Sequence, residues 1–170
     1  GQIKQHVHVL WHRTVRWARS APPTRLGAII TAPMRVPSLV ALVSGGASGL
    51  GAGVVRRLAK NGAKVIVADL NGDAASALAK ELGPSVVGCG ADITSEADVA
   101  AALDLAQSSF GEVIGACVHT AGTLHAGKIV HTKKKTALDL APFEQVLKVN
   151  VLGRYCILPP VCAFERVCSP

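Results

Sequence analysis

Residues Ser44 to Gly51 read S-G-G-A-S-G-L-G. They sit between an apolar run, Leu39 to Val43, and a stretch whose apolar residues Leu50, Val54, Val55 and Leu58 recur at helical spacing. The order is strand, glycine turn, helix. Glycines at such a turn let a diphosphate approach the backbone with no Cβ in the way, and the amides at the helix N-terminus then point at the anion. The stretch reads as a dinucleotide cradle with Ser44, Gly45, Ser48, Gly49, Leu50 and Gly51 as candidate contacts. A glycine-rich turn alone is a weak signal, so the reading depends on the residues downstream of it.

Downstream lies a second buried strand, Lys64 to Ala68, ending in Asp69. A carboxylate there accepts hydrogen bonds from both ribose hydroxyls of NAD and repels a 2′-phosphate. Ser48, an uncharged residue, stands in the turn, so NAD is expected over NADP. Leu70, beside Asp69, joins the candidate contacts.

Continuous apolar runs suit parallel strands buried on both faces. The helix after the turn is expected to stop at Asn61-Gly62, where Gly supplies a left-handed cap. Asp73 is the expected N-cap of an Ala-rich helix to Leu82, and Val86 to Cys89 a third strand. Ser95 and Asp98 resemble a capping box opening a helix that runs to Gly111, and Val113 to Val118 is the expected fourth strand. His125 to Leu140 reads as a surface loop, and Pro142 to about Leu152 as a further helix. Strands alternating with helices imply right-handed crossovers and an α/β, Rossmann-like, doubly wound parallel sheet in the order 3-2-1-4. Its ligand site is expected at the switch point between strands one and four.

Composition agrees with one such domain: 49% of the 170 residues are hydrophobic, 17% charged and 4% aromatic, which argues against disorder. The net charge of +7 is uneven, since residues 1–68 hold ten Lys or Arg and no acid. Within Ile3 to Arg19, Ile3, Val7, Leu10, Trp11, Trp17 and Ala18 fall on one helical face, opposite Lys4, His8, His12, Arg13, Arg16 and Arg19. An Arg-rich, acid-free amphipathic segment has the character of a mitochondrial presequence, with a cytoplasmic location as the alternative. Residues 1–33 are therefore read as a leader, 34–153 as a nucleotide-binding domain and 154–170 as an aberrant tail. The chain opens on Gly, so a fragment or processed product is expected. His6, His8 and His12 lack a Cys or carboxylate partner, and Cys162 and Cys168 are only two thiols, so no metal is assigned. The five cysteines read as reduced thiols. No apolar run reaches the roughly 18 residues of a membrane span, and a soluble protein is expected.

The motifs in register resemble the short-chain dehydrogenase/reductase family. Its Thr-Gly-x-x-x-Gly-x-Gly appears as Ser44 to Gly51, its strand-end acid as Asp69, and its adenine-contacting Asp as Asp92, followed by Ile93. Its Asn-Asn-Ala-Gly element appears as His119-Thr120-Ala121-Gly122, with Ala121 and Gly122 kept and the asparagines replaced. Its catalytic Asn falls on Asn150 in V-N-V-L-G. The resemblance runs from about Leu39 to Gly153. It implies a mitochondrial homo-oligomer that transfers hydride between NAD and a hydroxyl carbon of a 3-hydroxyacyl-CoA or steroid. It also implies a second role in mitochondrial tRNA processing, where Lys133-Lys134-Lys135 would touch RNA, although a charge run is more often a solvated loop.

The resemblance stops at the chemistry. Family members take the hydroxyl proton with a Tyr whose pKa is lowered by a Lys four residues on, beside a polarising Ser. Here the one tyrosine, Tyr155, has Pro159 four residues later, and no Lys comes after Lys148. The catalytic Ser, Tyr and Lys are thus absent from these 170 residues. Asn150 alone is expected to be a helix residue with a local hydrogen bond. An enzyme recorded as an incomplete chain and a non-catalytic nucleotide-binding or partner-binding protein are both open readings.

Overall fold

The structure, a computed structural model, describes residues 36–127, 129–131, 136–137 and 139–157. The leader, the Lys133 to Lys135 run, Cys162, Cys168 and the rest of the tail after 157 lie outside the described residues. After a 3-10 turn, Val36–Ser38, come β1 (Val40–Ser44), α1 (Gly49–Lys60), β2 (Lys64–Asp69), α2 (Gly72–Leu82), β3 (Val86–Gly90), α3 (Glu96–Phe110) and β4 (Ala116–His119). The chain then forms a small pair, β5 (Val130–His131) and β6 (Thr136–Ala137), before α4 (Leu140–Leu147). A π-helical turn, Lys148–Gly153, continues α4, and helix runs on through 154–157.

The strands β3-β2-β1-β4 lie side by side, all parallel, in the expected order. Alternation along each strand splits the apolar side chains between two faces. Val43, Val65, Val67 and Val86 pack under Val55 of α1 and Ala75, Leu78 and Ala79 of α2. Val40, Leu42, Ile66 and Ala68 pack under Val99, Ala102, Leu103 and Ala106 of α3, with Ile157 closing the same cluster. Continuous apolar strands are the consequence of that two-sided cover.

Gly62 takes φ +85° and its amide bonds Ala59 O at 2.9 Å, which ends α1 where expected. Four expectations are corrected. Asn71, not Asp73, caps α2: its side chain accepts the Ala74 amide at 3.0 Å, leaving Asp73 inside the first turn, where its charge faces the helix dipole. Ser95 does cap α3, yet Asp98 answers the Ser95 hydroxyl at 2.9 Å instead of its amide, because an Asp is one methylene shorter than the Glu of a full box. The fourth strand starts late. Gly115 still donates its amide to Val40 O at 2.9 Å, at the start of β1, whereas residues before it would need partners before Val40, outside β1, so Ile114 is buried off the ladder. Within the expected surface loop His125 to Leu140 the chain forms the β5–β6 pair, and the next helix begins at Leu140 and outlasts Leu152.

Candidate functional site

The glycine turn is held by what lies on either side of it. The Gly45 amide donates to Ala68 O at 2.8 Å, and the Ala47 amide to Asp69 Oδ2 at 3.0 Å. Asp69 Oδ1 accepts the Asn71 amide at 3.0 Å. The strand-end carboxylate thus ties the turn to the start of α2, and each oxygen keeps a lone pair for a further donor. On the other side Gly45, at φ +66°, lies so close to the segment after β4 that a Cβ would stand 2.5 Å from Ala121 N and Cα. A Cβ on Gly51 would run into Gly45 O and Thr120 Oγ1.

Gly49 differs from both: its φ is +49° and a Cβ would meet nothing within 4 Å. The space above it is open. Ser48, in extended conformation, precedes α1 without capping it, and the first turn holds no acid. The first amides of α1 have no intrahelical partner, so the turn offers donors and a partial positive charge to an anion.

Beside the turn is a cleft of about 340 Å³. Eight candidate residues line it: Gly45, Ser48, Asp69, Leu70, Asp92, Ile93, Ala121 and Gly122. Four do not. Ser44 is fully buried, while Gly49, Leu50 and Gly51 stand back from the cleft, Leu50 being 86% exposed although its helical spacing marked it as a core position. Thr120, Thr123, Gln145 and Val149 also line the cleft, although the sequence reading names none of them as a contact. The last two lie one helical turn apart and just before Asn150, a spacing that signals one helix face. The Thr120 hydroxyl donates to Ser44 O, joining β4 to the turn.

Asp92 is partly committed: Oδ1 accepts the Thr94 amide and hydroxyl, both at 2.8 Å. Its own amide donates to Asp98 Oδ2. That bond and the Ser95 hydroxyl hold the Asp98 carboxyl below its ordinary range. Asn150, on the π turn, makes a long-range pair instead of the expected local bond. Its Oδ1 accepts the Thr123 amide at 2.9 Å and its Nδ2 donates to Thr123 O at 2.7 Å. Gly122 admits this approach, since a Cβ there would stand 3.1 Å from Asn150 Oδ1. Asn150 therefore fixes the segment after β4, using one of its two Nδ2 hydrogens and one Oδ1 lone pair.

His119, paired in register with Ser44, keeps both ring nitrogens buried without hydrogen-bond partners, as is the Ser44 hydroxyl. Burial, then the charge of Arg154, lowers the His119 pKa from its ordinary value. Burial pushes the Cys117 thiol up to about 12, which keeps it protonated and inert. Among the described residues no three His, Cys, Asp or Glu gather as a metal site, and no helix is long and apolar enough to cross a membrane.

Residues 39–161 match the family described as short chain dehydrogenase. The chain is 43% identical over 123 residues to 3-hydroxyacyl-CoA dehydrogenase type-2 of Drosophila melanogaster, covering 72% of this chain and 48% of that protein. A solved structure of 3-ketoacyl-(acyl-carrier-protein) reductase from Brucella melitensis, complexed with NADH, superposes with a TM-score of 0.67 at 34% identity, over 75% of this chain and 50% of that one. That of 3-hydroxyacyl-CoA dehydrogenase type-2 from Mycobacterium avium gives 0.71 at 30% identity, over 82% and 53%. The chain spans about half the length of the relatives it matches.

Proposed function

The chain belongs to the short-chain dehydrogenase family, and from that premise we propose that it binds NAD for oxidoreduction at the hydroxyl carbon of a 3-hydroxyacyl-CoA or a steroid. One observation carries the cofactor half: the Asp69 carboxylate stands over the uncapped glycine turn, with an open lone pair on each oxygen and no cation at Ser48. A ribose diol satisfies those lone pairs, and a 2′-phosphate meets a like charge. The residues fit the dinucleotide. The first-turn amides of α1 would face the diphosphate across Gly49, Asp69 the ribose, and Asp92 and Ile93 the adenine end. Bound NAD supplies the hydride acceptor. Asn150 holds Thr123, and with it Ala121 and Gly122, in place along the cleft.

The proton half is different. The family's base is a Tyr with a Lys four residues on, and Tyr155, 53% exposed, has Pro159 at that position. Residues 1–170 by themselves therefore bind nucleotide without turning over, which is the second reading. The remaining proposals are a basic leader over 1–33 that directs import into mitochondria, a domain over 34–153, a distinct tail over 154–170, and contact with RNA-processing partners through Lys133 to Lys135.

The test is titration of residues 1–170 with NAD and NADP. A ribose-to-carboxylate contact discriminates by about 1–3 kcal/mol, so NAD should bind severalfold to a hundredfold more tightly. Equal affinity or tighter NADP binding refutes the assignment of Asp69.

A further inference from the structure

A second cleft, of about 530 Å³, is lined by Gly122, Thr123, Leu124, Asn150 and Arg154. Gly122 and Thr123 line the nucleotide cleft as well, so the two clefts adjoin. Asn150 holds the Thr123 backbone, and Leu124 is an exposed apolar side chain. Arg154 is the one charged residue in this lining. Among the described residues it has no ion pair. Its charge is felt by His119, whose two ring nitrogens are buried without partners.

Two described acids act on another side of the same helix. Glu96 and Asp92 act on Cys156, which is two residues beyond Arg154 and so about 200° round the helix from it. An exposed guanidinium that has no ion pair among the described residues, lines a cleft and acts on a buried imidazole suits an oxyanion, because its planar donors match carboxylate and phosphate oxygens.

We propose that this second cleft holds the anionic group of the substrate, a carboxylate or phosphate gripped by Arg154, with the reacting carbon over Gly122 and Thr123 where the clefts meet. The assignment of this ligand as a substrate rests on the dehydrogenase reading; the anion site itself does not. Substrates with a charged group near the carbinol are then preferred over neutral alcohols of the same size.

His119 provides the readout. Arg154 opposes protonation of the imidazole, so an anion that offsets Arg154 raises the His119 pKa. Residues 1–170 are titrated with inorganic phosphate, 3-hydroxybutyrate and neutral 2-butanol while His119 is monitored by NMR over pH, in wild type, Arg154→Gln and Arg154→Lys. NAD affinity is measured in parallel. We expect at least one anion to bind and raise the His119 pKa in wild type. The Gln variant should lose tenfold or more in anion affinity, the Lys variant should keep part of it, and NAD binding should be unchanged in both. Tighter 3-hydroxybutyrate binding assigns a carboxylate and tighter phosphate binding a phosphorylated substrate. Anion responses that are absent, matched by 2-butanol or identical in Arg154→Gln overturn the site. Anion binding without NAD binding leaves the site standing and removes the dehydrogenase reading instead.

Discussion

Substituting Gly49 by Ala separates the needs of the fold from those of the ligand. At Gly49 the backbone is left-handed, φ +49°, and a Cβ would meet nothing within 4 Å. The cost to the free protein is the conformational strain alone, about 1–2 kcal/mol. For a chain of this size that lowers Tm by roughly 2–8 °C. Gly45→Ala shares the positive φ but also drives a Cβ to 2.5 Å from Ala121 N and Cα, where backbone must move. Overpacking adds about 1–3 kcal/mol, giving a total of about 2–5 kcal/mol. Nucleotide binding inverts the order of importance at Gly49, because the new methyl enters the space a diphosphate needs. A tenfold or greater loss of NAD affinity, about 1.4 kcal/mol or more, is expected in a protein that is still folded. Urea denaturation and calorimetric NAD titration of both variants measure the two effects. Wild-type NAD affinity in Gly49→Ala would refute the cradle, and equal stability of the two variants would refute the close approach of Gly45 to Ala121.

Asn150→Ala removes both bonds to Thr123 and should cost about 1–3 kcal/mol, with faster exchange of the Thr123 amide; unchanged exchange counts against the clamp. The folded-state pKa of His119 lies below its free value of about 6.5. The unfolded chain therefore binds more protons, and stability is full above that pH and falls as pH drops through the folded value. His119→Asn should flatten this acid limb in pH-dependent denaturation, whereas an unaltered slope assigns it to other groups. Residues 1–170 should show no NAD reduction with 3-hydroxyacyl-CoA or hydroxysteroid above a protein-free control, since base catalysis alone is worth about 10²–10⁴ in rate. Turnover abolished by Asn150→Ala would mean that another residue serves as base.

Local patterns settled much of this protein in advance. The apolar runs from Leu39 and Lys64, the S-G-G-A-S-G-L-G turn and the strand-end Asp69 each express a constraint between near neighbours, so strand order and the position of the cleft were legible. Asn71 displaced Asp73 as a cap because capping depends on where the first helical turn begins, and the two candidates stand only two residues apart. The start of β4 depended on where β1 begins, far back in the chain. Long-range contacts were hidden altogether. The sequence presents Asn150 as a catalytic candidate, but only the tertiary structure binds its amide to Thr123, and only there do Gln145 and Val149 reach a cleft opened by Gly45. The same packing leaves the Gly49 backbone exposed and shuts Ser44 and His119 away from water. Glycines and charges are chosen residue by residue, whereas burial and partnership belong to segments distant in the chain that meet only when the sheet has closed.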